Sequence, residues 1–90
     1  MITRYTTAFD GMLARLPDRI QIEARNVIVA FLERFAGREF PKGMRVHRCG
    51  PFISLSIDLD HRIYLKPIPG GICFVFVGNH RDADRYLKKI

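Results

Sequence analysis

Long apolar runs are missing from this 90-residue sequence. None approaches the ~18 residues of a membrane-spanning helix. The opening residues, Met1-Ile2-Thr3-Arg4-Tyr5, lack the apolar core of a secretory signal, so a cytoplasmic protein is expected. Cysteine is scarce: Cys49 and Cys73 are the only two, and they make neither a CxxC pair nor a zinc spacing. In a reducing compartment both are expected as free thiols, with Cys73 inside an apolar strand as plain core. The three histidines, His47, His61 and His80, have no regular ligand spacing and no accompanying acidic cluster, so neither metal nor other cofactor is expected. No glycine-rich phosphate loop is present, and Gly70-Gly71 reads as a hairpin turn. Repeats, low-complexity tracts and linkers are also absent. A chain this short buries only ~60–65% of its unfolded surface, so residues 1–90 are read as one domain around one core.

What is present is a normal apolar fraction, 48%, and an excess of positive charge. The apolar fraction argues against disorder. Fifteen Lys and Arg against nine Asp and Glu leave a net charge of +6, a field that favours nucleic acid or an acidic protein partner.

Hydrophobic spacing divides the chain in two. Residues 2–6 read as a short strand. Thr7 and Asp10 have the spacing of a capping box, and Phe9, Met12, Leu13 and Leu16 then share one helical face. Pro17 closes this helix and is placed at the first position of the next. Ile20, Ala24, Val27, Ile28, Phe31 and Phe35 continue as the stripe of a helix of about five turns, which Gly37 is expected to stop. From Met44 onward the helical period disappears. Residues 44–48, 52–58, 62–68 and 72–78 read as strands, with turns at Asp58–His61 and Pro69-Gly70-Gly71. Period 2 puts Ile53, Leu55 and Ile57 on one face and Ser54, Ser56 and Asp58 on the other. It likewise separates Ile63 and Leu65 from Arg62, Tyr64 and Lys66. Pro67 cannot donate to a ladder, so regular pairing is expected to end near it. Residues 82–90 read as a last short helix.

The expected fold is therefore α+β, in the order β-α-α-β-β-β-β-α. An antiparallel sheet packs on an N-terminal helical hairpin. The sheet face away from the hairpin, with Ser54, Ser56, Arg62, Tyr64 and Lys66, is expected to be an open, basic, aromatic-bearing platform for RNA.

Several segments in this order resemble the RelE/ParE superfamily of bacterial toxins. "FDGMLARLPDRIQ" is similar to the family's opening F-x-x-x-L-x-x-L-P. "MRVHRC" follows, and "SIDLDHRIYL" resembles its D-x-x-Y-R-hydrophobic hairpin. "FVFVGNHRDADRYL" is close to its last strand and G-x-H-x-x finish. The resemblance implies a RelE-like, microbial-RNase type fold. It also implies a toxin that enters the ribosome, cleaves mRNA without a cofactor, and is held inactive by a cognate acidic antitoxin. Arg62 matches the family's fourth-strand arginine, which stabilises the scissile phosphate. His80 matches the strand-end position held by a histidine or arginine that protonates the leaving oxygen. Two places depart from the family's pattern: Ser54 and Ser56 stand where many ribosome-dependent members carry lysine or arginine, and His61 stands where a tyrosine is usual.

Cleavage by an internal 2′-OH needs a base, an acid and positive charge at the phosphate. The candidate catalytic residues are Arg62, His80 and His47, with histidine suited to proton transfer near neutral pH. Each has a structural alternative: a solvated or helix-capping His80, a surface-strand His47, an Arg62 paired with Asp58 or Asp60. His61 is read as a turn residue. Candidate substrate-binding residues are Arg45, Arg48, Lys66 and Arg81 for phosphate, and Tyr64 and Tyr86 for base stacking. Tyr86 can equally pack the last helix onto the sheet. The alternative function class is a binding protein of the same fold without RNase activity, either a gyrase-directed toxin or a non-toxic RNA- or protein-binding module.

Overall fold

The computed structural model describes residues 1–36 and 45–89. The elements are β1 (Ile2–Tyr5), α1 (Thr7–Ala14), α2 (Asp18–Ala36), β2 (Val46–Cys49), β3 (Phe52–Ser56), β4 (His61–Ile68), β5 (Gly71–Asn79) and α3 (His80–Lys88). The β-α-α-β-β-β-β-α order expected from the sequence is the order observed. Gly37 and Met44, expected to end α2 and to begin β2, lie outside the described residues.

Each helix forms where the spacing places it, with different end chemistry. The N-cap of α1 is Thr6, not Thr7: its extended backbone and its Oγ1, accepting from Phe9 N at 3.0 Å, satisfy one orphan donor. Pro17 stands just before α2, its carbonyl accepting from Gln21 N at 3.0 Å, rather than at the first helical position. The side chain of Gln21 turns back to donate to the carbonyls of Leu16 and Ala14, at 2.8 and 3.3 Å, and so ties the two helices together. The α3 helix begins at His80, two residues earlier than expected, because the side chain of Asn79 caps it by accepting from Asp82 N at 2.8 Å.

The five strands form one sheet in the order β1-β5-β4-β3-β2. Strands β2 to β5 are an antiparallel meander, and β1 joins the β5 edge in parallel. Gly71 is what lets β1 approach: a Cβ there would lie 1.8 Å from the Ile2 carbonyl oxygen. Pro67 interrupts pairing on one side only. The β3 partner ends at Leu65, whereas β5 pairs with β4 as far as Ile68. A bulge between Tyr64 and Leu65 slips the β4–β5 register, leaving Val75 and Phe76 adjacent in one cluster.

The sheet is buried on both faces. On one side the hairpin stripe packs against the expected alternate residues: Phe9, Ala24, Ile28 and Phe31 meet Leu55, Ile63, Leu65, Ile72, Phe74 and Val77. The other side corrects the sequence reading. Rather than an open RNA platform, it is a second core in which α3, through Ala83, Tyr86 and Leu87, covers Phe52, Tyr64, Cys73, Val75 and Phe76. Ser54 is 4% exposed and Tyr64 3%. The short helix could not be placed by pattern, because the polar spacing of β3 and β4 reads the same whether the face meets water or a small helix.

Candidate functional site

The site expected from sequence centres on the turn between β3 and β4. The carboxylate of Asp58 organises this turn. Its Oδ1 accepts from the backbone N–H of Asp60 and of His61, both at 2.8 Å. The ring of His61 places Nδ1 2.9 and 3.2 Å from the two carboxylate oxygens. Partial burial pushes the Asp58 carboxyl up, but the His61 ring, the two backbone donors and the charge of His61 outweigh it and hold the group below its ordinary value. His61 is thus committed to the turn, as read from sequence. Asp58 as its partner was visible only as a D-x-x-H spacing.

Arg62 and His80 are both attached to this turn. The Arg62 Nη1 donates to the carbonyl oxygens of Asp58, at 3.0 Å, and His61, at 3.3 Å. The expected alternative, a salt bridge to the Asp58 or Asp60 carboxylate, is not how the guanidinium is held; it grips backbone. His80 is bound through its main chain, its N–H donating to the carbonyl of Asp60. Pairing of Arg62 with Gly78 and of His61 with Asn79 brings the end of β5 alongside the start of β4. The His80 ring is exposed, with Nε2 3.6 Å from an Asp84 oxygen one helical turn on.

Gly78 belongs to β5. It does not turn the chain: it stays in the strand opposite Arg62, and a Cβ there would lie 2.9 Å from the Phe76 ring. The turn is made by Asn79, as the helix cap.

His47 is not brought to this turn. It pairs with Ser54, which pairs with Tyr64, which pairs with Phe76. Three strand spacings, roughly 14 Å, separate His47 from Phe76, and His80 lies four residues beyond Phe76 at the start of α3, so His47 does not stand beside it. Arg48, opposite Ile53, belongs to the hairpin face. Arg45 is exposed, and its carbonyl accepts from Ser56 N at 3.1 Å, which places it in line with the row of Ser56 and Arg62. Lys66 and Arg81 are exposed.

The two tyrosines belong to an aromatic cluster. Tyr64 has ring centroids of Phe76, Phe52 and Tyr86 at 5.3, 6.0 and 6.1 Å, so its faces are taken and it does not offer a base-stacking surface. Tyr86, half-buried, packs α3 on the sheet against Phe76 and Phe52 at 5.0 and 5.7 Å. Burial raises the pKa of both phenols. Cys49 and Asp84 add to this for Tyr64 while Arg62 opposes it, and Cys73 adds to it for Tyr86. Arg62 and Asp84 therefore act on the same buried ring, from β4 and from α3.

Compared by sequence, the chain matches no protein-family model and no curated protein. Compared by structure, it is similar to the RelE toxin in the RelB-RelE antitoxin-toxin complex from Methanococcus jannaschii, with a TM-score of 0.70 over 92% of this chain and 96% of that one at 13% identity. It is similar also to YafQ in the E. coli DinJ-YafQ complex, with a TM-score of 0.70 over 90% and 94% of the two chains at 12% identity. The fold is that of the RelE-type toxins. Resemblance over nearly the whole of each chain at so low an identity means that the fold is held by pattern and packing rather than by shared residues.

Proposed function

We propose that this protein is the toxin of a toxin–antitoxin pair and an endoribonuclease that cleaves mRNA without a metal. The observation that carries the reading is the attachment of Arg62 and His80 to one turn, at the end of a sheet with the fold of two toxins. In the reaction the ribose 2′-hydroxyl gives its proton to solvent water as its oxygen attacks the adjacent phosphorus, and the bond from phosphorus to the 5′-oxygen breaks. A 2′,3′-cyclic phosphate and a 5′-hydroxyl result. Arg62 offers its remaining N–H donors to the phosphate oxygens as charge builds there. His80, on the exposed side of the turn, delivers a proton to the leaving 5′-oxygen. Register sets His47 apart from this pair, so its part is contact with the RNA strand along with Arg45, Lys66 and Arg81. An acidic antitoxin would inhibit by laying carboxylates over Arg62 and its neighbours.

Cleavage of a short mRNA, with and without ribosomes, tests the proposal. His80→Ala and Arg62→Ala should each lower the rate by ~10²-fold or more. The double variant should lose less than the product, because both groups serve one transition state. Full activity in both single variants would sink the assignment.

A second reading, a toxin or binding module of this fold without RNase activity, is favoured by one observation. Where cations are usual on the third strand this chain has Ser54 and Ser56, and Ser54 is buried. Arrest of growth through DNA damage rather than through loss of protein synthesis would favour a gyrase-directed toxin. No effect on growth would favour a non-toxic module.

A further inference from the structure

The α3 helix divides the surface into two unlike flanks. At 100° per residue, His80, Asp84 and Leu87 lie along one side, while Asp82, Arg85, Tyr86 and Lys89 lie towards the other. The first flank looks across β4 and β3, where Leu87 packs near Phe52. The second flank faces α1, and between them is a cleft of about 510 Å³. Neither Arg62 nor His80 lines it.

The chemistry of this cleft is that of an anion site with an apolar floor. Met12 and Leu16 from α1 and its exit, and Phe76 from β5, supply the floor, and Tyr86 stands at its side. Among the described residues, three cations from two separate elements, Arg15, Arg85 and Lys89, line it, with Asp82 as the only carboxylate. The Nε of Arg15 donates to the Gly11 carbonyl at 3.1 Å, which holds the guanidinium against α1 and leaves its terminal donors for a ligand. Arg85 shares Asp82 at 3.6 Å, with both side chains more than half exposed, so an incoming dianion competes with a weak pair. Two guanidinium forks with an ammonium suit the tetrahedral oxygens of a phosphate better than a single carboxylate. The volume is in the range of small-ligand sites.

We propose that this cleft binds a nucleotide unit, with its phosphate held by Arg15 and Arg85 and its sugar or base resting on Met12, Phe76 and Tyr86. The source is either a free nucleotide or one unit of an RNA strand. The inference is independent of the RNase reading, since it requires no cleavage and uses neither Arg62 nor His80.

The test is a titration of the full chain, followed by amide NMR, with inorganic phosphate, adenosine 5′-monophosphate and an uncleavable 2′-O-methyl oligonucleotide. Binding of the mononucleotide should shift the amides of Arg15, Arg85 and Tyr86. Arg15→Gln and Arg85→Gln should each weaken it by about tenfold, while Lys88→Gln, the same charge loss on the same helix outside the cleft, should change it by less than about twofold. An oligonucleotide that binds much more tightly than the monophosphate, and still depends on Arg15, identifies the source as a strand; equal affinities identify a free nucleotide. No saturable binding of any probe would overturn the proposal. So would equal weakening by Lys88→Gln, which marks unspecific attraction, or equal affinity for an oligoglutamate peptide. Amide shifts at Arg15, Arg85 and Tyr86 report this cleft and shifts at His61 and Arg62 report the turn, so loss of cleavage and loss of this site are separable.

Discussion

The two faces of the sheet are built from the same alternating strands and differ in everything else. Under the hairpin the cover is two helices, and the core is a set of aliphatic side chains joined by Phe9, Phe31 and Phe74, all 1% exposed or less. Under α3 the cover is one helix of nine residues that contributes Ala83, Tyr86 and Leu87. That core is mainly rings: Phe52, Tyr64, Phe76 and Tyr86. A small cover leaves the margins of its face open, and there Arg62 and Asp58 are half-buried and His80 is exposed. The face with the larger core is covered by two helices, and the face with the smaller one leaves polar side chains uncovered at its margin.

Variants in the two cores should therefore separate. The largest effect is expected for Phe74→Ala, which opens a fully buried site between Tyr5 and Phe9, with centroids at 5.0 and 5.8 Å; it should cost about 3–5 kcal/mol in denaturant unfolding. Tyr86→Ala should cost less, about 2 kcal/mol, because the ring is half-buried and its loss loosens one helix. Hydrogen exchange should show the α3 amides opening first in that variant while β5 stays protected. Equal global destabilisation by the two would erase the distinction between the faces.

A smaller effect tests the turn that joins them. Asp58 lies below its ordinary carboxyl value when folded, so its contribution is complete above the unfolded pKa of about 4 and is lost as pH falls through the folded value. Asp58→Asn should lower stability by about 1 kcal/mol at neutral pH and flatten the acid side of the melting-temperature profile. Coincident profiles for the two proteins would refute the assigned role.

The smallest perturbation is chemical. Cys49 is half-buried at the end of β2 and Cys73 is buried beneath α3. A thiol reagent should modify Cys49 first, and Cys73 only on unfolding or in Tyr86→Ala. Rapid reaction of Cys73 in the native chain would show that the second core does not close.

The element order, the hairpin stripe and the hairpin face of the sheet were legible in the sequence, because each rests on local periodicity that a chain carries wherever it folds. The position of Arg62 near the start of β4 was legible for the same reason, whereas His80, placed at a strand end by the resemblance, is the first residue of α3. Which side chains share a site was not. The separation of His47 from His80 follows from strand order, and the loss of Tyr64 as a stacking surface follows from where a short helix comes to rest. Arg62 holds backbone carbonyls while the Asp58 carboxylate is taken by His61 and two backbone N–H groups. Periodicity along a chain says which way a side chain points, and only the closure of the sheet and the docking of α3 decide what it meets there.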